Sequence, residues 1–142
     1  MRCVEFSVRG SLPPKKDGAN SMWGKYSERE RLIELRRAAL QSLGSAEPFT
    51  ADIRMTVEIY CSKQHIATIG DLDNFITGIC DGLMAASRGT PVQANWQCTE
   101  LEAIHPSKCI AIRDDREVIE ITARKIAEES SEPRYRVILR GK

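Results

Sequence analysis

Asp71-Leu72-Asp73-Asn74 stands directly before a segment with helical spacing. Two acidic residues separated by a single residue would lie about 200° apart around a regular helix, whereas in an extended segment both side chains point to the same side. The sequence therefore predicts two carboxylates side by side where an extended segment becomes a helix. Acidic oxygens grouped in this way suit a hard cation such as Mg²⁺. The apolar side of the predicted helix carries Phe75, Ile76, Ile79, Cys80 and Leu83.

The chain as a whole has the composition of an ordinary globular protein. Its 142 residues are 42% hydrophobic and 29% charged, with a net charge of +1, which predicts one domain and does not require a nucleic-acid partner. The sequence shows neither a run long enough for a transmembrane helix nor a signal peptide. Five cysteines without regular spacing are typical of reduced thiols. We therefore expect a cytoplasmic protein with no membrane association.

Residues 27–44 carry the firmest helical pattern of the chain. Ser27-Glu-Arg-Glu30 has the form of a capping box, and Gly44 suits the end of the helix. Three arginines, at positions 29, 36 and 37, lie away from the apolar stripe. We interpret them as a solvated face, with contact to a nucleic acid as the alternative. The stripe itself consists of Leu32, Leu35, Ala39, Leu40 and Leu43.

Alternating apolar residues predict four strands, at 2–8, 52–60, 117–126 and 134–140. We expect the last two strands to pair as an antiparallel hairpin. The element order is then strand, helix, strand, helix, strand, strand. This order predicts an α/β (α+β) domain over residues 1–142, with a small mixed sheet packed against two main helices.

Two irregular segments leave alternatives open. The proline-rich loop 9–20 contains Lys15 and Lys16, which we expect to be exposed, either in an ordinary turn or in a loop that contacts phosphates. Segment 84–113 contains Cys98, His105 and Cys109, which suggest zinc, with Cys80 or Cys61 as a fourth ligand. No Cys-x-x-Cys pair supports that interpretation. An inserted loop or hairpin with incidental cysteines is the simpler prediction.

Three blocks of the sequence resemble the RusA family of Holliday-junction resolvases. The first is a short strand with its proline-rich loop, Phe6-Ser-Val-Arg-Gly-Ser-Leu-Pro-Pro-Lys-Lys16. The second is Asp71-Leu-Asp-Asn74 followed on the same helix by Asp81-Gly-Leu83, and the third is Asp114-Asp-Arg-Glu-Val118 at the start of a strand. The resemblance covers most of the chain except segment 84–113, which would be an insertion.

The resemblance implies a homodimer that cleaves branched DNA, specifically four-way junctions, with Mg²⁺ or alternatively Mn²⁺. By this resemblance Asp71, Asp73 and Asp115 occupy the positions of the catalytic, metal-binding carboxylates, and Asp114 stands beside them as a further metal ligand. Such a site hydrolyses a phosphodiester with a water nucleophile and cations that offset phosphate charge. The residues that we expect to contact DNA are Lys15, Lys16, Lys63, Asn74 and Arg113.

The sequence departs from the family pattern at one position of the motif helix. The family usually has a lysine where this chain has Thr77, which shares a helix face with Asn74 and Asp81. Lys63, Lys108 or Arg113 could supply a cation from a loop instead. The departure keeps open a second hypothesis, a non-catalytic nucleic-acid-binding or assembly protein that retains the fold.

Overall fold

The computed structural model describes residues 1–17, 22–129 and 132–142. The predicted order of six elements is confirmed, and so is the α+β class with a four-stranded mixed sheet and two main helices. Parts of two predicted connections, 18–20 in the proline-rich loop and 130–131 in the last turn, lie outside the described residues. The elements are β1 (Arg2–Arg9), α1 (Tyr26–Leu43), β2 (Ile53–Ser62), α2 (Leu72–Leu83), β3 (Val118–Glu128) and β4 (Arg134–Gly141).

The strands are arranged in the order β1-β4-β2-β3. β4 pairs antiparallel with β1 on one side and with β2 on the other, while β3 pairs parallel with β2. The predicted hairpin of β3 and β4 is therefore wrong, because β2 lies between them. Parallel neighbours require a crossover connection, and α2 together with segment 84–113 provides it.

The composition of the strands explains why β2 takes the central position. Four apolar side chains of β2 are at most 1% exposed. A strand this apolar is best placed in the middle of the sheet, with a neighbouring strand on either side. β3 alternates its apolar residues with Glu120, Arg124 and Lys125, and such charges suit an edge strand. On the face away from the helices, Glu58 links β2 to both of its neighbouring strands. Its carboxylate accepts hydrogen bonds from Arg124 of β3 and from Arg136 of β4. The buried β2 residues are Ile53, Met55, Val57 and Ile59.

Helix α1 confirms the predicted apolar stripe and its end at Gly44, but not its predicted start. The helix begins at Tyr26 after Lys25, and no side chain caps it. The capping box is therefore wrong. Glu28 is buried instead and accepts the backbone N–H of Lys15 at 2.7 Å. The acidic side chain near the helix start thus fastens the proline-rich loop rather than the helix terminus.

Arg36 overturns the prediction of a solvated arginine face. Its side chain is fully buried, and its guanidinium lies 5.0 Å from the centre of the Trp23 ring. Burial lowers the pKa of Arg36 to about 10, so the group stays charged at neutral pH. It satisfies that charge by donating to five backbone carbonyls, those of Gly82, Met84, Ile104, His105 and Lys108.

Segment 84–113 is consequently part of the core, and the alternative of a hairpin is wrong because it contains only 3₁₀ turns and one isolated bridge, from Ile112 to Phe49. Its Trp96 is fully buried and meets Trp23 edge-on, with ring centres 5.9 Å apart. The backbone N–H groups of residues 110, 111 and 112 lie 3.0–3.3 Å from the carbonyl oxygen of Leu83. These hydrogen bonds hold residues 110–112, which lead toward β3, against the C-terminal end of α2.

Candidate functional site

The proline-rich loop lies directly on helix α2. A side chain at Gly78 would overlap the backbone carbonyl of Pro14, so the loop can approach only because position 78 has no Cβ. Pro13 and Pro14 are buried, and the backbone N–H of Lys16 donates to the carbonyl of Asn74 at 3.1 Å. The described part of the loop is therefore a packed element and not a free solvated turn.

The two lysines of the loop are half-buried rather than exposed, and each lies beside an acidic residue. Nζ of Lys15 is 3.3 Å from Oδ2 of Asp17, and its stem passes so close to Gly70 that a Cβ there would be 2.8 Å from Cδ of Lys15. Nζ of Lys16 is 3.1 Å from Oδ2 of Asp81. The loop thus carries one cation toward the start of α2 and one toward its end.

Asp71 and Asp73 lie at the N-terminus of α2. Asp71 is the extended residue before the helix (φ −78°, ψ 139°), and Asp73 is in the first turn. Both are exposed, and neither side chain makes a hydrogen bond or ion pair with any other residue in the ranges 1–17, 22–129 and 132–142. Negative charge is favourable at a helix N-terminus. The pair is thus free to accept an external cation or donor.

Asn74, the last residue of the motif, orients the loop. Its amide nitrogen donates to Oδ1 of Asp17 at 2.7 Å, while its backbone carbonyl accepts from Lys16. Both contacts join the motif to the loop that carries the lysines. The Asn74 side chain is therefore engaged within the protein.

Asp114 and Asp115 differ sharply although they are neighbours. Asp114 accepts three hydrogen bonds from the guanidinium of Arg116, at 2.6, 3.0 and 3.2 Å, and one from its backbone N–H at 2.9 Å. These contacts lower the pKa of Asp114 to about 2. Asp115 begins a 3₁₀ turn before β3 and has no ion pair within the described ranges. Of the two, Asp115 is the one available to a ligand.

A cleft of about 390 Å³ contains Asp115 together with Lys16 and Asp81, and Trp23 and Met84 form part of its wall. Burial, followed by the charges of Asp115 and Asp81, raises the pKa of the Cys80 thiol to about 12. Asp115 therefore lies near the last turns of α2. The cleft combines two carboxylates with one ammonium group.

The acidic residues consequently form two groups, one at each end of α2. Asp73 and Asp81 are eight residues apart, which corresponds to about 12 Å along the helix axis. Asp71 and Asp73 occupy the first end, and Asp81 and Asp115 the second. Within the part of the chain that the structure describes, no group of three or more His, Cys, Asp or Glu side chains is close enough to hold a metal ion.

Comparison with protein-family models and with curated proteins finds no match for this chain. None of the helices in the described ranges is long and apolar enough to cross a membrane. The site is therefore interpreted from its own geometry.

Thr77 is exposed, and its hydroxyl donates to the backbone carbonyl of Asp73 at 3.0 Å. The cation on this face of α2 is Lys16, beside Asp81 one turn further along. Sequence reasoning proposed Lys63, Lys108 or Arg113 for that role and missed Lys16. Lys63 instead pairs with Glu129 at 2.7 Å, and Arg113 lies 3.9 Å from Glu47. Gly78 is the sequence feature that could have indicated this position of Lys16, because a glycine there lets the proline-rich loop cross the helix.

The suggested zinc ligands are only partly brought together. Cys98 and His105 line a separate cleft of about 310 Å³. Cys109 does not line it, and its thiol donates to the carbonyl of Ile112 at 3.1 Å. Nδ1 of His105 accepts the backbone N–H of Ser107. All five cysteines are free thiols, as predicted.

Proposed function

We propose that this protein is a metal-dependent, structure-selective endodeoxyribonuclease that resolves four-way (Holliday) DNA junctions by phosphodiester hydrolysis. The observation that carries the proposal is the surface around α2. Among the residues that the structure describes, it presents three carboxylates without ion pairs, Asp71, Asp73 and Asp115, and a packed loop brings Lys15 and Lys16 to the same surface. Acidic oxygens next to cations are what hydrolysis of an anionic phosphodiester requires.

The donor chemistry of the three carboxylates fits Mg²⁺ or Mn²⁺. Mg²⁺ is usually held by one or two carboxylates, and its other ligands are water and substrate phosphates. In the proposal Asp71 and Asp73 would hold the cation. Asp115, with Asp114 beside it, belongs to the acidic group at the other end of α2 and would act from there, not as a third ligand of the same ion. When bound, the cation supplies positive charge for the phosphate and lowers the pKa of a water nucleophile.

The lysines of the loop bind and orient the DNA. The Lys16–Asp81 pair is partly exposed to solvent, and water weakens such pairs, so the ammonium of Lys16 can leave Asp81 for a phosphate. Lys15 acts in the same way by leaving Asp17, near Gly70 at the start of α2. Asn74 holds the loop in place through Asp17. Lys63 and Arg113, both in exposed ion pairs, contact the duplex arms further from the acidic residues.

A homodimer completes the proposal. A twofold-symmetric dimer presents two equivalent sites, one for each of the two opposed strands that must be cut to resolve a junction. We place this activity in the cytoplasm, as the sequence analysis expects.

The test is cleavage of an end-labelled synthetic four-way junction beside a linear duplex of the same sequence, with Mg²⁺, Mn²⁺ or EDTA. We expect paired symmetric nicks in the junction that require the metal and are lost in Asp73→Asn. Asp52→Asn is the matched control, because Asp52 is an exposed aspartate that pairs with Lys142 far from α2. Junction nicking by Asp73→Asn at the wild-type rate would disprove the carboxylate assignment.

The second candidate function is a non-catalytic protein that binds branched DNA or assembles on it. Two observations favour it: Thr77 stands where a lysine is usual, and the acidic residues lie at the two ends of α2. It predicts junction binding without metal-dependent nicks, and full tolerance of Asp73→Asn in a binding assay. The cleavage experiment therefore separates the two functions.

A further inference from the structure

The two edge strands of the sheet, β1 and β3, differ in the contacts that they make with the rest of the chain. At the β1 edge, the hydroxyl of Ser42 donates to the carbonyl of Glu5 at 3.1 Å, and Arg2 lies 4.3 Å over the ring of Phe49. β3 pairs with β2 on one side only, and no backbone hydrogen bond from another described residue reaches its outer side. β3 is thus an open edge of 11 residues.

The open edge also exposes apolar side chains. Ile119 is 55% and Ile121 is 46% exposed, and these are two of the four large hydrophobic residues that the described chain exposes. Edge strands in monomers are usually short or otherwise protected, because unpaired N–H and C=O groups invite another strand. The charges of β3 oppose pairing with an unrelated strand, whereas its length and its exposed isoleucines suit a partner strand whose charges match its own.

We propose that β3 pairs antiparallel with β3 of a second copy of this chain, around a twofold axis at Thr122. Two four-stranded sheets then become one continuous sheet. A twofold axis perpendicular to the sheet keeps each residue on its own face, and directly opposite residues share a face. The axis must therefore pass through a residue position and not between two residues.

Charge selects the position of the axis. With Thr122 at the axis, Glu120 lies opposite Arg124 of the second copy, and the symmetric pair forms as well. Opposite charges across strands are stabilising, and like charges are not. Moving the axis to Ala123 places Glu120 opposite Ile126, and moving it to Arg124 places two arginines face to face.

The contacts that Glu120 and Arg124 already make within one copy are compatible with an ion pair between these two residues across the interface. Arg124 uses Nε and Nη2 to hold Glu58, so Nη1 of its guanidinium remains available. Glu120 lies 4.0 Å from Arg54, and both of these side chains are more than half exposed. An exposed pair of that kind is readily exchanged.

This pairing locates the interface of the dimer that the proposed function requires, and it stands on the properties of β3 alone. Asp115 lies three residues before the first residue of β3, so each copy would carry its Asp115 on its own side of the axis. Val118 of the two copies would lie about 26 Å apart along the strand direction. The position of the interface and the nuclease activity can fail separately, because one is measured by mass and cross-linking and the other by nicking.

The first test is disulfide cross-linking in a Cys3→Ser, Cys98→Ser background, which removes the exposed thiols. At the axis, Thr122→Cys faces its own copy at about 4.5–5.5 Å between Cα atoms, within disulfide range. Glu120→Cys is the control, because its two copies would lie about 13 Å apart. We expect a covalent dimer from Thr122→Cys and none from Glu120→Cys.

The second test measures mass by analytical ultracentrifugation. We expect a wild-type dimer, at least a tenfold weaker dimer for Glu120→Arg and for Arg124→Glu, and a recovered heterodimer when these two variants are mixed. Glu100→Arg and Arg9→Glu, both exposed and away from β3, should leave the dimer unchanged. A monomeric wild type, or a dimer that neither cross-links through Thr122→Cys nor responds to the charge reversals, would overturn the proposal.

Discussion

Lys16 touches both halves of helix α2: its backbone N–H donates to the carbonyl of Asn74 at 3.1 Å, and its ammonium lies 3.1 Å from the carboxylate of Asp81. The residue therefore follows the helix surface between the two acidic groups. A lysine held there by the backbone is positioned to meet a phosphate that approaches either group.

Lys16→Met should weaken junction binding about fivefold at moderate salt, because one phosphate contact is lost. The slope of log affinity against log salt should become shallower by about one unit. The measurement is a fluorescence-anisotropy titration at several salt concentrations. Lys142→Met, which removes an exposed lysine paired with Asp52, serves as the control. An unchanged slope in Lys16→Met would exclude this contact.

Asp115→Asn should abolish metal-dependent nicking, whereas Asp114→Asn should retain most of it. The reason is that Asp115 is free of ion pairs in the described ranges, while Asp114 is occupied by Arg116. Nicking rates at saturating Mg²⁺ provide the comparison, and junction affinity shows whether either variant still binds. Equal rates in the two variants would contradict the assignment.

Arg36→Met should lower the free energy of unfolding by at least about 3 kcal/mol. The substitution leaves five carbonyls without their donor, those of Ile104 and Gly82 in buried hydrogen bonds and the other three in partly buried ones, and an unpaired buried acceptor costs about 1–3 kcal/mol. Urea unfolding followed by fluorescence reports the loss through Trp23 and Trp96, which both lie next to this region. Arg37→Met is the matched control, because Arg37 is the exposed neighbour on α1 and should change stability by less than about 0.5 kcal/mol.

If Arg36→Met does not fold, Arg36→Lys provides the measurement. Lysine keeps the charge but has three donors instead of five, so an intermediate loss of stability is expected. A wild-type unfolding curve for Arg36→Lys would show that the five bonds are not needed.

Glu58→Gln should destabilise the protein by about 1–3 kcal/mol near neutral pH, and this difference should shrink in acid. Hydrogen bonds from Arg124 are the main reason that the pKa of Glu58 lies below its ordinary value of 4.5. A carboxylate with a lowered pKa in the folded state stabilises the fold above pH 4.5, and it loses that contribution as the pH falls through its lowered pKa. Chemical unfolding between pH 3 and 7 checks the trend, with Glu100→Gln as the control, because Glu100 is exposed and lies away from β3.

Local patterns in the sequence predicted those features that depend on near neighbours. The apolar side of α2 and its start next to Asp71 follow from spacing within one helix. The four alternating residues of β2 likewise indicated which side of that strand is buried. In both cases the signal and the structure involve the same few residues, so the pattern was sufficient.

The predictions of a β3–β4 hairpin and of a solvated Arg36 were wrong because both features depend on contacts between residues far apart in the sequence. β4 follows β3 in the chain, but β2 lies between them, because the most apolar strand needs a neighbour on both sides. Arg36 looked solvated because its partners, at positions 82–108, are far along the chain. No periodicity within α1 can reveal acceptors that another segment supplies.

The sequence by itself determined the α+β class, the order of the elements and the acidic motif at the start of α2, since each is encoded in the spacing of adjacent residues. Only the tertiary structure decided that Lys16 is the cation beside Asp81 on α2, that Asp114 rather than Asp115 forms the ion pair with Arg116, and that β3 is the open edge. These three features depend on which surfaces pack together, and packing is determined by burial and hydrogen bonding over the whole chain.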